Sequence, residues 1–197
     1  MLAVITNRAS THHDFLKQIC EIAKAKPDII VLREKDLNTQ EYFNLAKKVS
    51  CILKKEDVDL AIHTHIKIAK KLNIKSIHLT YNDFIKNNSK LSYFNNISVS
   101  IHSLDEARFV EKNGGHDLYA GHIFETNSKK NLKPRGLDFL WEIKNNIAIP
   151  VYALGGINLN NIQLVVESGC RDIAVMSALM ESENPYENVL KFISHIK

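Results

Sequence analysis

Eight short β-rich runs recur along this chain of 197 residues, and that recurrence restricts the fold more than any other feature. They cover residues 2–6, 29–32, 60–63, 76–79, 97–101, 118–120, 151–154 and 173–176. Between them, apolar side chains fall at helical spacing: Phe15, Ile19, Ile22 and Ala23; Tyr42, Leu45, Ala46 and Val49; Ile162, Val165 and Val166. Eight strands alternating with helices predict an α/β fold, a parallel closed (β/α)8 TIM barrel, with a doubly wound open sheet as the alternative. Asn38 followed by Glu41, and Ser103 followed by Glu106, have the form of helix starts. Asn113-Gly114-Gly115 and Ser168-Gly169 have the form of helix stops. Segments 80–96 and 125–137 are polar and lack a clear period, so they read as long strand-to-helix connections. No linker or low-complexity tract interrupts residues 1–197, which are read as one domain.

The apolar fraction of 45% suits a packed globule, and the length suffices for a single core. The net charge of +4 is spread over lysines at helical spacing. Such runs are ordinarily solvated faces, and no docking motif supports a nucleic-acid partner. A mild positive excess also suits an anionic substrate. Cys20, Cys51 and Cys170 lack CxxC spacing, which points to a reducing compartment and a cytoplasmic protein. Cys20 and Cys51 lie in amphipathic patterns and are expected to be buried. No apolar run reaches membrane-spanning length and no signal-peptide pattern is present, so no membrane partner is expected.

A barrel carries its chemistry at the C-terminal ends of its strands. Most of the notable polar groups fall there. Gly155-Gly156 follows the seventh run, and Met176-Ser177 closes the eighth. This is the usual phosphate position of such barrels, although a Gly-Gly pair also serves as a plain tight turn. His122 follows the sixth run beside Glu125, Lys129 and Lys130. Its imidazole can accept and return a proton near neutral pH. His12, His13, His116 and His195 read as solvent-facing, and His78 as structural. His63-Thr64-His65 puts two imidazoles two positions apart, potentially on one strand face, with His102 on the same rim. Structural or substrate-contact roles are preferred there over a zinc site. Arg33 and Lys35 either hold a carboxylate or phosphate at the mouth or form an ordinary surface ion pair with Glu34.

The chain resembles the thiamin-phosphate synthase superfamily, and within it the TenI-like thiazole tautomerases. The resemblance runs essentially end to end. It rests on Val31-Leu32-Arg33-Glu34-Lys35, Ser100-Ile101-His102-Ser103, Gly121-His122-Ile123-Phe124-Glu125-Thr126, Arg135-Gly136, Ala153-Leu154-Gly155-Gly156-Ile157 and Ile173-Ala174-Val175-Met176-Ser177. Departures from the synthases indicate the branch. Synthases carry Asn-Asp-Arg where this chain has His63-Thr64-His65, and Thr64 is a poor substitute for a magnesium carboxylate. They carry prolines where His122 and Glu125 stand, and Gln where Val31 stands.

The resemblance implies that His122 is the acid–base of a proton shuttle that aromatises a carboxylated thiazole phosphate, with no cofactor and no metal. It implies phosphate contacts from Gly155, Gly156, Met176 and Ser177. Substrate contacts follow from Arg33, Lys35, Ser100, His102, Thr126, Ser128 and Lys129. It also implies a homodimer. Thr126, Ser128 and Lys129 retain the synthase pattern that cradles pyrophosphate, and Asp83 matches a second metal-site acid. Thiamin-phosphate synthase activity is therefore the alternative. A non-catalytic, ligand-binding regulatory protein is a third reading, although no helix-turn-helix pattern is present.

Overall fold

The computed structural model describes residues 1–126 and 132–197. Its strands are β1 (Leu2–Ile5), β2 (Ile29–Leu32), β3 (Asp59–His63), β4 (Ser76–Thr80), β5 (Asn96–Ile101), β6 (Asp117–Gly121), β7 (Val151–Leu154) and β8 (Ile173–Val175). All pair in parallel and in sequence order, and β8 closes onto β1 through Leu2 opposite Ile173. The sheet is a closed barrel, as expected, and the open-sheet alternative falls. Each expected strand lies within one residue of an observed one.

The helices are α1 (Phe15–Lys24), α2 (Thr39–Glu56), α3 (Ile66–Lys71), α4 (Tyr81–Asn87), α5 (Leu104–Lys112), α6 (Gly136–Asn146), α7 (Ile162–Glu167), α8 (Ser177–Met180) and α9 (Pro185–Ile196). Among the described residues no helix is long and apolar enough to cross a membrane.

Strand alternation divides the core in two. Leu2, Val4, Ile30, Leu32, Leu60, Ile62, Ile77 and Leu79 point outward into the layer shared with the helices. The other phase fills the barrel with Ala3, Ile5, Ile29, Val31, Ala61, Tyr119, Tyr152 and Ala174. Around β4 and β5 that inner phase turns polar, with His78 and Ser98 buried. Burying each outward Leu or Ile contributes about 1.5–3 kcal/mol, so the outer layer supplies much of the stability.

Local signals set the helix ends. Asn38 accepts from the Gln40 and Glu41 amides at 3.0 Å, and Glu41 returns to the Asn38 amide at 2.9 Å. Ser103 accepts from the Glu106 amide at 3.2 Å. The expected stops at Gly114 and Gly169 follow α5 and α7.

Three expectations are corrected. Segment 80–96 is not a plain connection, because it holds α4 and a 3-10 helix over Asn88–Tyr93. Segment 125–137 ends sooner than expected, since α6 begins at Gly136. The cysteine expectation also fails: Cys51 is exposed and Cys20 half-buried, whereas Cys170 is buried. The inner face of α2 runs through Tyr42, Ala46, Val49 and Leu53, which leaves position 51 on the outside.

Candidate active site

One cavity of about 210 Å³ opens at the C-terminal mouth of the barrel. Arg33, Lys35, Ser100, His102, His122, Thr126, Gly155, Gly156, Met176 and Ser177 all line it. Ser128 and Lys129 lie outside the described residues. Of the remaining sequence candidates, every one is therefore brought to a single hollow. A more open groove of about 550 Å³ shares Thr126, Gly156, Met176 and Ser177 with it and is also lined by Glu125.

His122 follows β6 and is only 4% exposed. Its Nε2 lies 3.2 Å from the Leu132 carbonyl oxygen. A carbonyl only accepts, so the contact requires a hydrogen on Nε2 and leaves the lone pair of the neutral ring on Nδ1. The loop carrying His122 is laced to β7 and the residue after it. The Ile123 amide donates to the Leu154 carbonyl at 2.9 Å, and the Phe124 amide to the Gly155 carbonyl at 3.0 Å.

That packing explains the two glycines. Gly155 and Gly156 have φ of +101° and +69°, the left-handed side that glycine tolerates. A Cβ on Gly155 would stand 2.4 Å from His122 Cβ, and one on Gly156 would stand 2.4 Å from the Glu125 carbonyl oxygen. The pair therefore admits the sixth loop as well as opening backbone to the cavity.

Across the barrel the wall is cationic. Burial lowers the pKa of Arg33 from its ordinary value. Lys35 is lowered by burial first and by Arg33 second. The intervening Glu34 turns away from the mouth and pairs there, accepting from the Thr6 hydroxyl at 2.6 Å and the Arg8 amide at 2.8 Å. The surface ion pair considered for Arg33 and Lys35 does not occupy its carboxylate.

The histidine cluster differs from its sequence pattern. His63 is the last residue of β3 and lines the cavity. Thr64 has a φ of +59°, so the strand ends there, and His65 packs at a tilt against Tyr42 with ring centroids 4.1 Å apart. The two imidazoles do not share a face. His63 instead stacks on His78 at 5.8 Å.

Burial, and then the charges of His78, Arg33 and Lys35, pull His63 down to about 2. Burial and Arg33 pull His78 to about 3. Both rings are neutral at physiological pH. His78 hydrogen-bonds Ser98 and Ser100 hydroxyls, each at 2.8 Å. Its burial suits the structural role expected of it, yet it also lines the cavity, as do Thr80 and Tyr119. His12, His13, His116 and His195 are exposed, as expected.

The arrangement is an anion-attracting mouth with a buried imidazole, His122, on one wall and a glycine turn beside it. The cavity is small compared with ligand pockets of about 300–1,000 Å³, which suits a compact substrate.

Comparison with known proteins places the chain in a family. The family profile described as Thiamine monophosphate synthase matches residues 2–179. A thiamine-phosphate synthase of Clostridium tetani is 32% identical over 93% of this chain and 89% of its own length. Another, from Clostridium acetobutylicum, is 33% identical over 92% of this chain and 88% of its own length. The solved thiamine phosphate pyrophosphorylase of Pyrococcus furiosus superposes with a TM-score of 0.86 at 25% identity, covering 99% of this chain and 94% of the other. With its profile matched across the barrel and its members aligned nearly end to end, the chain belongs to the thiamine monophosphate synthase family.

Proposed function

We propose that this member of the family is a thiazole tautomerase of thiamin biosynthesis, aromatising a carboxylated thiazole phosphate with His122 as the proton shuttle. The observation that carries this reading is the buried His122, lining one cavity with both the cationic wall and the glycine turn. The substrate has a double bond from the ring to its phosphoethyl arm. His122 Nδ1 removes the proton from ring C2, the C–H electron pair enters the ring, and the exocyclic carbon takes the proton back from the imidazolium. One proton leaves and one returns, so no redox partner is needed. Arg33 and Lys35 hold the carboxylate and the charge that builds beside it in the transition state. Gly155, Gly156, Met176 and Ser177 face the phosphate, and Ser100, His102 and Thr126 complete the wall.

The synthase branch uses magnesium, and the residues here do not suit that ion. Magnesium is ordinarily held by one or two carboxylates together with substrate phosphates and water, so the fit turns on single acids. Thr64 stands where the ligand carboxylate is expected. Asp83, the remaining acid, accepts the Thr80 hydroxyl at 2.6 Å. No step is routed through magnesium.

Supplying the non-aromatic thiazole phosphate and following aromatic ultraviolet absorbance tests the reading directly. Wild type should accelerate the conversion, and His122→Gln should lower turnover by about 10²- to 10⁴-fold. Unchanged turnover in that variant removes His122 from the mechanism. The names of the relatives favour a second reading, thiamin-phosphate synthase. Magnesium-dependent formation of thiamin phosphate from a pyrimidine pyrophosphate and a thiazole phosphate would establish it instead.

A further inference from the structure

We propose that His63 recognises the substrate's carboxylate, donating a hydrogen bond beside Arg33 and Lys35 and so selecting carboxylated over decarboxylated thiazole phosphates. The inference rests on the tautomerase reading and adds a residue that the family resemblance does not supply. His63 shares its strand phase with Ala61, whose side chain points into the barrel. It is only 8% exposed, and its ring lines the cavity.

A polar ring so deeply placed ordinarily has a protein partner. His78 beside it does, through Ser98 and Ser100. The His63 backbone amide is taken by the Tyr42 hydroxyl at 3.3 Å. Among the described residues, however, no hydrogen bond reaches either ring nitrogen of His63. The ring therefore brings one N–H and one lone pair to the cavity wall, and no group among the described residues takes them.

The neighbours select the ligand. Arg33 and Lys35 from the end of β2, His78 from β4 and His65 after β3 all disfavour a second positive charge on this ring. The group that best meets two cations and a neutral donor is a planar anion with several lone pairs, namely a carboxylate. Strand order separates this position from the glycine turn. In a closed barrel of eight consecutive strands, β3 stands opposite β7, so His63 and Gly155 face each other across the mouth. A thiazole with its carboxylate at C2 and its phosphoethyl arm at the far side of the ring matches that separation.

Calorimetric binding of two probes tests the assignment: the aromatic 2-carboxythiazole phosphate and its decarboxylated counterpart. Wild type should prefer the carboxylated probe. His63→Phe keeps the ring volume and removes both nitrogens. It should weaken the carboxylated probe by about 10- to 100-fold, the range for a hydrogen bond to a charged group, and the decarboxylated probe by less than about 3-fold. His63→Asn retains an N–H donor and should recover part of the preference. His63→Ala repeats the test should the aromatic replacement disturb folding, with thermal melting as the check.

Equal weakening of both probes, or of neither, overturns the role of His63 while leaving the tautomerase reading intact. Wild type that binds both probes equally does the same. Wild type that binds neither and fails to aromatise the substrate overturns both.

Discussion

A Cβ added to Gly155 would stand 2.4 Å from His122 Cβ and 2.8 Å from its Cα, with φ already at +101°. Neither neighbour is the free end of a flexible side chain, so the sixth loop would have to move. Gly155→Ala should therefore cost about 1–3 kcal/mol in urea unfolding from backbone strain alone. It should also slow aromatisation by about 10²-fold, because a displacement near 1 Å at a reacting group has that effect. Gly114 is the matched control. It has a φ of +87°, but a Cβ there meets nothing within 4 Å. Gly114→Ala should lose stability and keep its rate. Equal rates in the two variants would separate Gly155 from His122. The Gly-Gly pair was legible in the sequence as a turn at the phosphate position, but its contact with the loop bearing His122 was not. That contact joins residues more than thirty positions apart through space, and no local pattern encodes it.

At the scale of elements, legibility followed the number of apolar anchors. Strands of a parallel barrel are buried on both faces, so 29–32 and 151–154 read as short apolar runs with sharp ends. α4 was missed because only Phe84 among its residues is buried, and one anchor makes no period. Its start signal is chemical rather than periodic. The Thr80 hydroxyl accepts from the Asp83 amide at 3.1 Å and donates to the Asp83 carboxylate at 2.6 Å. Thr80→Ala should release about 0.5–2 kcal/mol of helix stability. Hydrogen exchange checks this locally: amides of α4 should exchange faster, while those of β4 change little. Uniform acceleration across the barrel would mean that Thr80 supports the sheet instead. The pattern His63-Thr64-His65 misled for a related reason. Period-two reasoning assumes a continuing strand, and the positive φ at Thr64 ends it after the first imidazole.

Across the whole molecule, the barrel interior departs from the branched apolar filling usual for this architecture. His63, His78 and Ser98 are buried polar groups, and Tyr119 stacks on Tyr152 with centroids 4.7 Å apart. The site's polarity thus reaches down into the core, and folding is coupled to pH through it. The two histidines fall from an ordinary 6.5 to about 2 and about 3 in the folded chain. Below pH 6.5 the unfolded chain takes up protons that the folded chain refuses, so acid favours unfolding. The stabilisation is fully present above that pH and is lost progressively down to about pH 3 for His78 and about pH 2 for His63. Each histidine contributes a slope of about 1.4 kcal/mol per pH unit in that window, and the pair should lose about 3 kcal/mol between pH 7.5 and 5.5. Urea unfolding at those two pH values measures it. His78→Asn, which keeps a hydrogen-bonding group for the serines, should roughly halve the difference. Stability that holds or rises over the same interval would mean that the two rings ionise within the folded barrel, and His63 would then meet the carboxylate as a cation rather than as a neutral donor.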